Sequence, residues 1–85
     1  MVVMVLLSIA GRAMPQPQYL KSYDPDAFDG RGDVEGTANL DDAMKFPDAG
    51  VALKLWKKTS TVRPTRPDGK PNRPLSAFTV SIENV

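Results

Sequence analysis

The run MVVMVLLSIA (residues 1–10) is almost wholly apolar, and whether it belongs to the folded domain sets the number of strands in the sheet. As a helix it would reach about 15 Å, half of a bilayer core of about 30 Å, so it is too short to span a membrane. A signal peptide carries a basic segment ahead of its apolar run. Here the first base, Arg12, follows the run. The favoured expectation is that residues 1–17 form a disordered or accessory leader, from an upstream start codon ahead of Met14, and that 18–85 form a single small domain. A remnant of an export or membrane signal, or a genuine first strand, are the alternatives.

Beyond the leader, QYLKSY (18–23) alternates as a strand, and Asp24-Pro25 stops it, because the residue before proline avoids the helical region. DVEGTA (33–38) reads as a short second strand weakened by Gly36, antiparallel to the first across a wide loop. Asn39 has the character of a helix N-cap, opening one or two turns that end by Phe46. Pro47 suits the first position of the main helix, 47–59, with Asp48 beside it. In that helix Ala49, Ala52, Leu53 and Trp56 share a face, widened by Val51 and Leu55, with Lys54, Lys57 and Lys58 on the polar side. Burial of Leu53 and Trp56 is expected to contribute about 2–3 kcal/mol each, with Trp56 as the largest core anchor. Four prolines between 63 and 75 exclude helix and central strand there, and Pro67-Asp68-Gly69 signals a turn. AFTVSI (77–82) alternates as a half-buried last strand. The expected fold is α+β: a small three-stranded, mostly antiparallel sheet with one main helix on one face, in the order β-β-α-β, and a Pro-rich loop before the last strand.

Composition narrows the chemistry. The 85 residues include no cysteine and no histidine, which removes disulfides, thiol and imidazole nucleophiles, Ser-His-Asp triads and the common zinc and haem ligand sets. Asp41-Asp42 is explained by capping, and Ser76 and Lys70 have no orienting base between them, so no catalytic constellation with assigned roles exists. The expectation is a non-enzyme without cofactor or metal. Net charge is only +1, yet charge is segregated: 24–48 holds eight acids against Arg31 and Lys45, while 54–73 holds seven bases against Asp68. Either the two halves neutralise each other, or the basic one faces an acidic partner.

DPDAFDGRGDVE (24–35) places Asp24, Asp26 and Glu35 at positions 1, 3 and 12 of a calcium loop, but Phe28 and Asp29 occupy positions 5 and 6, where an oxygen ligand and a glycine belong. A network of Asp-capped turns is the favoured reading, with a loose divalent-cation site as the alternative. Arg31-Gly32-Asp33 spells an integrin tripeptide, but Gly-Arg-Gly reads better as turn positions of positive φ. Pro64/Pro67 and Pro71/Pro74 sit three apart, as in polyproline II, without the flanking arginine register of an SH3 ligand. The arm is an ordered connector whose arginines pair with the acidic loop, a recognition element or a nucleic-acid contact. Four phosphate contacts from its cations would cost roughly a hundredfold in affinity between about 50 and 200 mM salt.

Tyr19-Leu20-x-x-Tyr23-Asp24, Asp29-Gly30-Arg31-Gly32, Phe46, Trp56 and above all VRPTRPDGKPNRPLSAFTV (62–80) resemble a family of short uncharacterised proteins encoded by bacteriophages and prophages. The resemblance covers roughly 19–83 and leaves 1–13 outside. Phe28 and Thr65 depart from it, where a polar and an aliphatic residue are expected. No activity comes with the family; by analogy, small phage proteins often bind and block a host component. The expected function is therefore a non-catalytic binding protein in the host cytoplasm, off the membrane. Arg31, Arg63, Arg66, Lys70 and Arg73 would meet an acidic host or phage protein, or else nucleic acid.

Overall fold

The computed structural model describes residues 1–85. It is α+β, with a four-stranded antiparallel sheet in the order β3-β2-β1-β4. The strands are β1 (Val2–Ile9), β2 (Arg12–Asp24), β3 (Asp33–Thr37) and β4 (Phe78–Asn84). Between them lie a single turn α1 (Ala27–Gly30), a 3-10 turn (Leu40–Asp42), the helix α2 (Ala49–Trp56) and a second 3-10 turn (Pro74–Ala77).

The apolar N-terminal run is not a leader: it is β1, an inner strand, paired with β2 on one side and β4 on the other. That corrects both the three-stranded sheet and the boundary at residue 18. The physical reason is burial on both faces. Val2, Val3, Met4, Val5 and Leu6 are all buried, so this stretch reads as a continuous apolar run instead of an alternating one. Met4 and Leu6 point into the main core with Leu20, Phe46, Ala52 and Leu75. Val3 and Val5 point to the other face, opposite Glu83, Ser81 and Tyr19.

The turn that joins β1 to β2 is Ala10-Gly11, at φ 50° and 80°. Positive φ at both positions matches the tight hairpin turn whose twist suits the flanking strands. β2 tolerates Pro15 and Pro17 because its register against β1 jumps from Ser8↔Ala13 to Leu6↔Gln18. Residues 14–17 therefore bulge outward, and neither proline has to donate to the ladder. Further along, β1 and β2 diverge and the segment after the 3-10 turn bridges them. Met44 N–H donates to Leu20 O, and Val2 and Phe46 exchange two hydrogen bonds of 2.9 Å.

Helix α2 starts later than expected. Pro47 precedes it, and Asp48, in extended conformation, is the N-cap whose carboxylate accepts from Val51 N–H at 3.0 Å. Its buried face is also rotated. Ala52 is fully buried, and Leu55 and Trp56 pack on the core, while Leu53 and Val51 are about 40% exposed. In this orientation Trp56 Nε1 donates to Phe78 O at 3.2 Å. Trp56 itself is only half-buried, so the largest enclosed side chains are Met4, Leu6, Leu20 and Leu75, not the tryptophan.

One side chain ties sheet to loops. Tyr23 Oη donates to Lys58 O and accepts from Leu75 N–H, each at 3.2 Å. Burial pushes the phenol pKa up, opposed by the Leu75 N–H. Tyr23→Phe is expected to cost about 1–3 kcal/mol by orphaning the half-buried Leu75 amide, read as a fall of several degrees in Tm.

Candidate functional site

The two loops that carry the cationic candidates meet at one end of the sheet. Asp26 joins them. Its Oδ1 accepts from Ser60 Oγ (2.9 Å), Thr61 N–H (2.6 Å) and Val62 N–H (3.3 Å), and its Oδ2 from Thr61 Oγ1 (2.7 Å). Asp24 Oδ1 caps Asp26 N–H at 2.9 Å. Asp24 therefore caps a turn as expected and Asp26 binds the 60–62 loop, and no group of three or more acids converges as metal ligands. Those hydrogen bonds, led by the Thr61 hydroxyl, hold the Asp26 pKa down at about 2 from 3.8. Because the folded-state value is lowered, the stability Asp26 contributes is present above pH 4 and lost as pH falls toward 2. Asp26→Asn is expected to lower Tm at pH 7 and to flatten that part of the acid-unfolding profile, measured by circular dichroism from pH 7 to 1.5.

The loop surfaces then pack closely. Asn72 Nδ2 donates to Gly30 O at 2.7 Å, and Ser60 N–H to Asn72 O at 2.9 Å. A Cβ placed on Gly30 would lie 2.6 Å from Arg63 Cβ, and one on Gly32 would lie 2.5 Å from Pro74 Cβ. Both glycines have positive φ, in keeping with the turn role expected of Gly-Arg-Gly. Beyond this contact the arm folds back on itself. Arg66 N–H donates to Lys70 O, and Gly69 N–H to Arg66 O, closing a hairpin around Pro67-Asp68-Gly69.

Between the turn of α1 and this hairpin lies an open cavity of about 650 Å³, lined by Asp29, Gly30, Arg31, Arg63, Thr65, Arg66, Pro67 and Asn72. Arg63 forks onto one oxygen of Asp29, with Nε at 3.0 Å and Nη2 at 2.6 Å from Oδ2. This is the one ion pair of the molecule, and both side chains are more than 60% exposed. The hydrogen bond and the charge of Arg63 pull the Asp29 pKa below its usual value and push that of Arg63 up. So the acidic and basic halves neutralise each other at a single point, not along their length.

Of the five candidate cations, the cavity gathers Arg31, Arg63 and Arg66. Lys70 and Arg73 lie on the same exposed arm but do not line it. Thr65, Asn72 and Asp29 are lining residues that sequence reasoning did not assign. Arg63 on Asp29, 34 residues away, is one contact of the kind expected of an arm whose arginines pair with the acidic loop, though which two residues meet had no local signal. Phe28 was also missed: it is 70% exposed, next to Asp29, and both residues hold left-handed φ of 54° and 58°. An exposed aromatic held in that conformation costs about 1–2 kcal/mol, which marks the turn as strained.

No helix of the structure is long and apolar enough to cross a membrane. Comparisons with protein-family models, with curated proteins and with solved structures found no match for this chain.

Proposed function

We propose that this chain is a non-catalytic binding protein that engages an acidic macromolecule through the surface formed by the α1 turn and the 60–75 arm. One observation carries the reading. Three guanidinium groups line a single cavity and only one of them, Arg63, is paired within the molecule. Guanidinium groups recognise carboxylates and phosphates through planar, two-pronged hydrogen bonding, and the unpaired pair Arg31 and Arg66 is free to do so. Every residue from Thr61 to Lys70 is exposed, so the middle of the arm contributes contact area, while Ser60 and Leu75 at its ends are buried. The resemblance of 62–80 to phage proteins favours a host or phage protein as the partner, with inhibition of a host process as the biological outcome and the bacterial cytoplasm as the place.

Phe28 favours a second reading. The arm itself lacks aromatics, but this exposed ring beside the cavity supplies a surface on which a base can stack, as single-strand binders use. The two readings separate in one experiment with the full chain. The tagged protein is used to capture partners from bacterial lysate, with and without nuclease, beside the variant Arg66→Glu/Lys70→Glu/Arg73→Glu, first shown to melt like the parent. A discrete protein that survives nuclease and is lost in the variant supports the protein partner. Capture abolished by nuclease, with oligonucleotide affinity falling steeply with salt, supports nucleic acid. Retention that the charge reversal leaves unchanged overturns both.

A further inference from the structure

The cavity has a charge and a size that select among acidic groups. Its walls carry Arg31, Arg63 and Arg66 against Asp29, a net of two positive charges. Arg63 is partly satisfied by Asp29 Oδ2, so the unmet demand sits on Arg31 and Arg66. A carboxylate brings one negative charge and leaves the site half compensated. A phosphate monoester brings close to two above its second pKa of about 6, with three acceptor oxygens for the fan of N–H groups. The Thr65 hydroxyl and the Asn72 amide add neutral polar walls, and Pro67 is the one apolar side chain of the lining. At about 650 Å³ the space also exceeds what a bare phosphate ion fills and falls within the range of small-molecule sites.

We infer that this cavity is a binding site for a phosphate monoester dianion carried on a polar group, held between Arg31 and Arg66 with Thr65 and Asn72 alongside. The inference rests on the proposed function and names the group that the cationic surface takes. Asp29 then acts as a restraint on affinity: it occupies Arg63 and subtracts a charge from the site.

The test is calorimetric titration of the full chain with inorganic phosphate, ribose 5-phosphate and O-phosphoserine, with acetate at matched ionic strength as the control. Phosphate-bearing ligands are expected to bind more tightly than acetate. The affinity of the two monoesters is expected to fall about tenfold between pH 7.5 and 5, as the dianion takes up a proton, and that of inorganic phosphate by more. Acetate stays mostly ionised over that window, so its affinity should change by less than about twofold. Arg31→Ala and Arg66→Ala should each weaken binding about tenfold or more, the loss of a charge-assisted hydrogen bond. Lys54→Ala on the exposed side of α2 should leave it unchanged. Asp29→Asn should tighten binding, which a merely structural Asp29 would not do. Ribose 5-phosphate binding above O-phosphoserine identifies a sugar phosphate as the source, and the reverse a phosphorylated side chain; both support the site.

Equal binding of acetate and phosphate, loss of the pH dependence, or weaker binding in Asp29→Asn overturns it. A parallel titration with poly-glutamate separates the two levels. If the polymer binds and the phosphates do not, the cavity inference falls and the acidic-partner reading stands. If neither binds, both fall.

Discussion

A chain beginning at Met14 is expected not to fold. Removing residues 1–13 takes out β1, which supplies Val2, Val3, Met4, Val5 and Leu6, all buried, and separates β2 from β4. At about 1.5–3 kcal/mol for each buried aliphatic side chain, the loss matches or exceeds the whole stability of about 5–15 kcal/mol that a small domain possesses. Far-ultraviolet circular dichroism and amide proton dispersion should both report an unfolded chain for 14–85. A milder variant, Leu6→Ala, should fold and lose about 2–5 kcal/mol in urea denaturation, since Leu6 is 1% exposed in the middle of the core. A cooperative melt of 14–85 near that of the parent would return residues 1–13 to the status of an accessory leader.

The second large effect is expected at the contact between the loops. Gly30 has φ 88°, and a methyl group there would lie 2.6 Å from Arg63 Cβ and 2.9 Å from its Cγ. Gly30→Ala therefore combines left-handed strain, about 1–2 kcal/mol, with overpacking of about 1–3 kcal/mol. The control is Gly69→Ala in the hairpin, at a similar φ of 86° but with open space around it, which should show the strain alone. The difference between the two, measured by denaturant titration, isolates the steric part. Gly30→Ala should also spread Asp29, Arg31 and Arg63 apart and weaken anion binding, whereas Gly69→Ala should leave the cavity walls where they are. Equal losses for the two variants would mean that the loops are not tightly packed at Gly30.

These expectations rest on residues that differ in how legible they are. β4 was readable because Phe78, Val80 and Ile82 alternate with polar neighbours, and one face of an antiparallel edge strand is solvated. β3 and the later half of β2 were readable for the same reason, each bounded by turn residues. β1 lacks that alternation because both of its faces are covered, so its apolar run has no period of two and looked like a leader. The hairpin behind it was obscured as well. Ala10 stands where asparagine or aspartate usually announces such a turn, and Pro15 and Pro17 argued against a strand that in fact bulges around them.

The helix shows the same division at finer scale. Asp48, Ala52 and Trp56 lie in a segment whose helical character is written in its spacing. The spacing put Leu53 on the buried face and Leu55 at its border, and the structure reverses them, with the helix rolled so that Trp56 reaches Phe78 O across 22 residues. At the candidate site, composition and prolines located the cationic arm and its turn, and the Gly-Arg-Gly loop. The cavity exists only because Asp26 reaches across to 60–62, Asn72 reaches back to Gly30, and Asp29 claims Arg63. By itself the sequence determined the class of fold, the later strands, the helix, and the segregation of charge onto one arm, because local periodicity and turn chemistry act over a few residues. Only the tertiary structure decided that the N-terminal run is an inner strand and which arginine is spent on an internal partner. Those outcomes depend on contacts between residues tens of positions apart, whose cost and gain no local pattern records.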